Sequence, residues 1–462
     1  MPFSIVHRGT GTLQASAPRE LSLRTPRGTV TVLLIHDSNV RTGPTLTTQW
    51  NSASTTRAVV IVLGICGNVG SAVPTSLAGT KSSTHATAAT SPAVFDNPCI
   101  RNVGATCTAH ALDAFAASVL AQRQATATAP IRLTFIGDSL TADDQIVDRV
   151  RTSLQRALGN GGPGFVFVVP PHPFCQQRAA TRSLSGTWTA RGVIGAAESD
   201  HLMGLGGSSA TAVDDARFVV KTTTPVESAD IFYLAAPNSG TFEFIADKVA
   251  SPTVSTKASA KTAMFDRTTF AQPVQQVTLQ THGRVRVFGV AFENSRGAVV
   301  DNLGVVNGTA KTLLRNNQAH WQKQLAHRAP ALTIIMLGTN EAEWLPAAGP
   351  ALDEHEKLFG QLLDSIHDAN PTQSCLVISP FDQLDWRKPD APPRASIPAM
   401  VAVQHRVATS HGCAFWNTYE WMGGAGSSRA WAKQRLVTND FQHPTTKGAH
   451  RIADALAAAL IK

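Results

Sequence analysis

The sequence is poor in charged residues, tyrosine and cysteine. Charged residues make up 16% of the 462 positions, and the chain has two Tyr and six Cys. Six cysteines are too few for a disulfide scaffold in a chain of this length, and the lack of a CxxC pair argues against a metal or redox site. The formal net charge is +8 but no Lys/Arg run occurs, so we expect no nucleic-acid partner. We also expect no metal or other cofactor.

Long apolar runs are missing as well. The best candidate, residues 58–66, follows Arg57 and precedes small and polar residues, which is the layout of a secretory signal. The run is too short to span a bilayer, so we expect no stable membrane span. A periplasmic or secreted chain is the prediction, with residues 1–90 as extension, signal-like segment and linker. A buried strand is the alternative for residues 58–66.

One pair of cysteines is placed to form a disulfide in an oxidising compartment. Cys99 and Cys107 lie close together in a loop-like context, which predicts a small disulfide. Cys375 and Cys413 are interpreted as core residues.

Strand and helix patterns alternate in two separate parts of the chain, 91–164 and 297–462. Strands are predicted at 131–136, 331–337 and 374–378, and helices at 112–124, 143–158, 354–368, 399–411 and 446–460. This alternation predicts an α/β fold with a mainly parallel, covered sheet. Residues 165–296 instead show short alternating segments separated by Gly, Pro, Ser and Asn, which predicts an inserted all-β domain. Its predicted strands are 217–220, 231–234, 241–245, 274–280 and 285–290.

A candidate nucleophile follows the first of these strands. Ser139 lies in the turn Gly137-Asp138-Ser139-Leu140, between an apolar strand and a helix. A serine hydroxyl needs a base, and His443 near the C-terminus is the candidate. Asp440, three residues earlier, could orient its imidazole across a tight turn. The sequence therefore predicts a Ser139, His443, Asp440 triad.

An oxyanion formed at such a serine needs hydrogen-bond donors. The backbone N–H of Ser139, the N–H of Gly308 and the side-chain amide of Asn340 are the candidates. Trp344, Trp421 and Trp431 either line a sugar platform or belong to the core.

In this order along one chain, these motifs resemble the SGNH/GDSL hydrolase family. Blocks 136–144, 297–309, 336–342, 421–431 and 440–443 are similar to its peptidoglycan O-acetylesterase branch. The resemblance covers about residues 105–462. It implies a flavodoxin-like three-layer SGNH domain with a parallel sheet and an inserted β-domain similar to a carbohydrate-binding module.

The resemblance also implies a serine esterase that removes acetate from O-6 of N-acetylmuramic acid through an acetyl-Ser139 intermediate. We expect an acetylated glycan as substrate and a monomeric protein. Three alternatives stay open: esterase action on another acetylated polysaccharide, O-acetyl transfer, and a non-catalytic glycan-binding envelope protein.

Overall fold

The computed structural model describes residues 19–25, 28–36, 59–63 and 92–462. The chain divides into two compact units, Met1–Ala86 and Thr87–Lys462. None of the helices in the described residues is long and apolar enough to cross a membrane.

The first unit contains one three-stranded sheet. Strand β1 (Arg19–Thr25) pairs antiparallel with β2 (Gly28–His36), and β2 pairs in parallel with β3 (Val59–Leu63). Strand β3 lies inside the apolar segment 58–66, in agreement with the strand alternative for that segment. The other residues of the predicted signal-like segment, including Cys66, lie outside the described residues.

The second unit alternates strands and helices at its two ends and has only strands in the middle. Its strands are β4 (Cys99–Val103), β5 (Thr106–His110), β6 (Ile131–Gly137), β7 (Gly164–Val166), β8 (Ala180–Gly192), β9 (Ser208–Ala235), β10 (Thr241–Ala246), β11 (Val249–Ala250), β12 (Val254–Ser255), β13 (Thr262–His282), β14 (Val285–Glu293), β15 (Ala298–Gly304), β16 (Leu332–Met336), β17 (Ser374–Ile378) and β18 (Ala414–Trp416). Its helices are α1 (Asp113–Arg123), α2 (Ser139–Ala142), α3 (Gln145–Leu158), α4 (Ala310–Leu313), α5 (Gln318–Arg328), α6 (Pro350–Ala369), α7 (Ser396–Ser410), α8 (Thr418–Met422), α9 (Ser427–Lys433) and α10 (Thr446–Leu460), with a 3₁₀ turn at Glu341–Glu343.

A five-stranded parallel sheet in the order β15-β6-β16-β17-β18 forms the centre of the α/β part. Because successive side chains point to opposite faces of a strand, each strand supplies two cores. Leu133 and Phe135 pack in one core with α1, α3 and α10, whereas Ile136 packs in the other with α5, α6 and α7. The sheet is therefore covered on both faces, as the continuous apolar strands predict.

The residues between the two α/β parts form an eight-stranded sheet. Its order is β11-β10-β13-β9-β14-β7, with β12 paired to β10 and β8 paired to β9. Strands β9 and β13 are 28 and 21 residues long and form one antiparallel ribbon. The all-β character of this segment agrees with the sequence pattern, but the predicted short strands 217–220 and 231–234 are parts of one long strand, β9.

This β-sheet shares a core with the α/β part. Phe165, Phe232 and Phe288 pack in the same apolar cluster as Trp321 and Phe359. The whole of Thr87–Lys462 is accordingly one compact unit.

Two disulfides are present. Cys99–Cys107 joins β4 to β5, as predicted. Cys375–Cys413 links β17 to the residue that precedes β18, and both cysteines are buried in the core, as interpreted, but the disulfide between them was not predicted. Cys175 is free and buried.

Candidate active site

Three parallel strands end at the same edge of the central sheet. Gly137 at the end of β6 is in register with Gly304 of β15 and with Met336 of β16. The loops that follow these strands therefore meet, because parallel strands present their carboxyl ends on one edge. These loops carry Ser139, Gly308 and Asn340.

Ser139 is the first residue of the short helix α2. Asp138 caps this helix, with its Oδ1 accepting from the Leu140 N–H at 3.0 Å. Position 137 must be glycine because a Cβ there would lie 2.1 Å from Thr141 Oγ1 and 2.6 Å from the Met336 carbonyl oxygen. The tight strand-to-helix turn holds the Ser139 hydroxyl, partly exposed, at the sheet edge.

His443 reaches the same place from the loop between α9 and α10. Its Nε2 lies 3.1 Å from Ser139 Oγ, and its Nδ1 lies 2.8 Å from Asp440 Oδ2. With the proton on Nδ1, the imidazole donates to Asp440 and accepts from the Ser139 hydroxyl. The structure thus brings together three side chains that span 304 residues of sequence.

The Asp440 carboxylate is held by its own turn. Its Oδ1 accepts from Thr438 Oγ1 at 2.5 Å, from the Gln442 N–H at 2.9 Å and from the His443 N–H at 3.0 Å. Burial alone would raise the pKa of Asp440, but the hydrogen bonds from His443 and Thr438 hold it well below its usual range. The hydrogen bond to Asp440 in turn raises the pKa of His443. Thr438 was not predicted from the sequence.

The candidate oxyanion donors are arranged differently from the prediction at one position. The side-chain amide of Asn340 donates to the Gly308 carbonyl oxygen at 2.9 Å, which leaves its second N–H for another acceptor. The Gly308 N–H, however, donates to the Val305 carbonyl oxygen at 2.7 Å. Gly308 is therefore at the site, but its N–H is occupied by a turn. Ser139 N–H lies in the first turn of α2, where helical N–H groups have no partner within the helix.

Two buried carboxyl groups lie directly behind these loops. Burial raises the pKa of Asp138 to about 6 and that of Glu341 to about 7, and the negative charge of Asp138 raises the Glu341 value further. Glu341 Oε1 accepts from the Ala310 N–H at 3.3 Å and so joins the Asn340 loop to the Gly308 loop. The sequence pattern shows the two acids but not their burial, so neither was predicted to act at the site.

The three tryptophans considered as sugar-platform or core residues differ in burial. Trp431 is buried, and Trp421 lies between Trp416 and Trp431 with ring-centre distances of 5.4 and 5.7 Å, so both belong to the core. Trp344 is 61% exposed and lies four residues after Asn340.

Among the described residues, no group of three or more His, Cys, Asp or Glu side chains is placed to hold a metal ion.

The GDSL-like Lipase/Acylhydrolase family model matches residues 275–451 of the chain, a segment that contains Gly308, Asn340, Asp440 and His443. The matched segment covers less than half of the 462 residues. The match over this segment supports a carboxylic ester hydrolase. No curated protein matches its sequence.

Solved structures resemble this chain to different extents. One, described as "Peptidoglycan O-acetylesterase in action, 5 min", is 21% identical with a TM-score of 0.65, over 75% of this chain and 95% of that chain. A lipase/acylhydrolase from Enterococcus faecalis is 16% identical with a TM-score of 0.28, over 36% of this chain and 76% of its own. The first likeness extends beyond the family segment and includes most of the compact unit.

Proposed function

We propose that this hydrolase removes O-acetyl groups from a cell-wall glycan. The ester on O-6 of N-acetylmuramic acid in peptidoglycan is the preferred substrate, and the protein acts in the periplasm or after secretion. The observation that carries the proposal is the hydrogen-bonded series Ser139, His443, Asp440, with contacts of 3.1 and 2.8 Å. The likeness to a structure named as a peptidoglycan O-acetylesterase supports the choice of substrate. The two disulfides support an oxidising compartment.

The proposed reaction has two steps. Ser139 Oγ attacks the acetyl carbonyl carbon while His443 Nε2 takes the hydroxyl proton. The tetrahedral intermediate then collapses, the bond to the sugar oxygen breaks, and His443 returns the proton to that oxygen. A water molecule, deprotonated by His443 in the same way, attacks acetyl-Ser139 and releases acetate.

Two donors are available to the oxyanion in this arrangement: the Ser139 N–H and the second N–H of the Asn340 amide. The Gly308 N–H becomes a third donor only when its hydrogen bond to Val305 opens. Loss of one such donor typically lowers turnover about a hundred- to a thousand-fold.

Substitution of the nucleophile tests the proposal. We expect Ser139→Ala to abolish acetate release from O-acetylated peptidoglycan, because no other hydroxyl contacts His443 Nε2 in the described residues. Ser183→Ala, at an exposed position of β8, is the matched control and should keep full activity. Circular dichroism checks that both variants are folded. Undiminished acetate release by Ser139→Ala would refute the mechanism, and labelled acetyl groups appearing on added glycan would indicate transfer instead of hydrolysis.

A further inference from the structure

A cavity lies beside the loops that carry Gly308 and Asn340. It measures about 230 Å³, and Thr309, Ala310 and Glu341 form one side of it. Each of these is the chain neighbour, or next neighbour, of a candidate oxyanion residue. The cavity therefore lies next to the two loops that hold the candidate oxyanion residues, although Gly308 and Asn340 themselves do not line it. The triad does not use it, because Ser139 and His443 are not among its lining residues.

Trp344 lines the same cavity from the 3₁₀ turn side. Its side chain is 61% exposed, which is unusual for the largest apolar side chain. A flat, exposed aromatic ring beside a cavity offers a packing surface for the C–H face of a pyranose ring.

The interior of the cavity is polar at two points. His355 of α6 is 5% exposed and Glu341 is also 5% exposed, and both line the cavity. Within the described part of the chain, His355 Nε2 and Glu341 Oε2 are buried without a hydrogen-bond partner. Buried polar atoms are normally paired, so two unpaired atoms in one cavity indicate a ligand that supplies the missing partners.

The charge state of His355 suits a neutral, hydroxyl-rich ligand. Burial lowers the pKa of His355 to about 4, so its imidazole is neutral near pH 7 and can accept or donate one hydrogen bond. The Lys311–Glu354 pair, 3.1 Å apart at the cavity edge, is internally balanced. A small cavity with an aromatic wall and a few polar groups is typical of a site for an uncharged ring.

We propose that this cavity is a sugar subsite of the catalytic unit, in which a pyranose ring of the substrate glycan packs on Trp344 and its hydroxyl groups bind His355 and Glu341. The inference rests on the proposed glycan esterase function and deepens it. It assigns glycan recognition to residues next to the reacting serine, in addition to any binding by the β-sheet 164–293. A small acetyl ester does not extend into the cavity, so contacts in the cavity add nothing to its binding affinity.

Trp344→Ala is the direct test, and Trp386→Ala is its matched control. Trp386 is 56% exposed but is not a lining residue of the cavity. Both substitutions are made in the full chain, alone and combined with Ser139→Ala. Soluble glycan strands from O-acetylated peptidoglycan and 4-nitrophenyl acetate are the two probes.

We expect Trp344→Ala to raise KM for the glycan strands by about ten-fold or more, with kcat changed much less. The reason is that an aromatic side chain covered by a bound ligand is typically among the stronger contacts of a binding site. Hydrolysis of 4-nitrophenyl acetate should be unchanged. Calorimetric titration of the Ser139→Ala background with the strands should show the same loss of affinity. His355→Gln, which keeps a polar group in place, should lose less affinity than His355→Leu.

Two results would overturn the subsite. One is equal glycan affinity in the Trp344→Ala and Trp386→Ala proteins, and the other is an equal loss on the glycan and on 4-nitrophenyl acetate. Failure of the proposed function is visible separately: the wild type would then release no acetate from the strands while still cleaving 4-nitrophenyl acetate. The binding titration in the Ser139→Ala background remains decisive for the subsite in that case.

Discussion

At the scale of single residues, the site depends on how its environment changes the proton affinity of His443. The imidazole can act as a base only when it is neutral, and its hydrogen bond to Asp440 raises its pKa above the ordinary value of about 6.5. The fraction of active enzyme therefore rises as the pH increases through the raised pKa. We expect the acidic limb of the pH profile to lie above about pH 6.5 for that reason.

Asp440→Asn tests this coupling. The amide removes the charge and favours the wrong imidazole tautomer, so kcat should fall on the order of a thousand- to ten-thousand-fold. The acidic limb of the residual kcat/KM should move to lower pH, since the contact that raises the His443 pKa is lost. The measurement is the pH dependence of kcat/KM on 4-nitrophenyl acetate. Asp454→Asn, on the exposed face of α10 and paired with Arg149, is the control. An unmoved limb in Asp440→Asn would contradict the assignment.

Residue identity and order were enough to predict where the three side chains of the candidate triad lie. Ser139 follows a strand at a glycine turn, and Asp440 and His443 occur in one short loop, so their types and spacing were visible in the sequence. The contribution of Thr438 and the buried state of Asp138 were not, because both depend on which loops meet. The Gly308 N–H shows the same limit: its partner, the Val305 carbonyl oxygen, follows from the local turn that the backbone adopts.

At the scale of elements, periodicity predicted the strands and helices with ordinary apolar patterns and missed those with buried polar residues. Strand 374–378 and helix 446–460 were predicted with the observed bounds. Strand β15 was not predicted, because Asp301 and Asn302 interrupt its apolar run. Helix α5 was not predicted either, because it buries His320, Gln324 and Arg328. Arg328 of α5 and Asp301 of β15 form an ion pair at 2.7 Å. Each element therefore buries a charged residue whose partner lies in the other element, and an apolar pattern detects neither.

The two longest strands were predicted only in part: β9 as two short strands, 217–220 and 231–234, and β13 as the single segment 274–280. Pro225 lies within β9 and Pro273 within β13, and a proline normally marks an edge or an irregularity in a strand. In the structure both prolines fall near the same irregular region of the β9–β13 ribbon, where Val226 pairs with Val274 between register shifts. Both prolines therefore lie where the regular hydrogen-bond pattern between β9 and β13 is interrupted by a bulge.

The two disulfides should contribute unequally to stability. Cys375–Cys413 spans 38 residues and joins two strands of the central sheet, whereas Cys99–Cys107 spans eight residues in an exposed hairpin. Loop-closure entropy predicts a loss of about 4 kcal/mol in the free energy of unfolding for Cys375→Ala/Cys413→Ala and about 2.5 kcal/mol for Cys99→Ala/Cys107→Ala. Urea unfolding of the two double variants checks the order. The reverse order would show that strand packing, and not chain entropy, decides the effect.

At the scale of the whole molecule, the β-sheet 164–293 is tied to the α/β part by charge as well as by apolar packing. Glu293 at the end of β14 forms ion pairs with Arg132 of β6 and with Arg328 of α5. Burial alone would raise the pKa of Glu293, but the charges of Arg328 and Arg132 hold it well below its usual range. The shared apolar cluster is continuous with this contact region. Removal of residues 165–296 would expose both, although the β-sheet also has a separate apolar cluster of its own that includes Phe218, Phe242 and Phe292.

Glu293→Gln tests the importance of this junction. Removal of one partner from a buried charge cluster typically costs about 3–5 kcal/mol of unfolding free energy. The lowered pKa of Glu293 also makes the stability depend on pH. Glu293 stabilises the folded protein above pH 4.3, about the pKa of a glutamate in the unfolded chain, and this stabilisation decreases as the pH falls below that value. Urea unfolding from pH 7 to pH 3 should show a smaller pH dependence in Glu293→Gln than in the wild type. Glu356→Gln, in the exposed pair with Arg406, should change stability by less than about 1 kcal/mol. Equal effects of the two substitutions would remove Glu293 from this role.

The order of strands in the central sheet has a consequence for biosynthesis. Strand β6 leaves the ribosome early, yet its neighbour β15 follows only after the complete β-ribbon, and β18 and His443 come near the end of translation. The nascent chain must therefore keep the apolar strand β6 without its neighbour while all the residues between Gly137 and Ala298 are synthesised. Hydrolytic competence arises last, because a chain that stalls before Asp440 and His443 lacks two of the three side chains of the candidate triad.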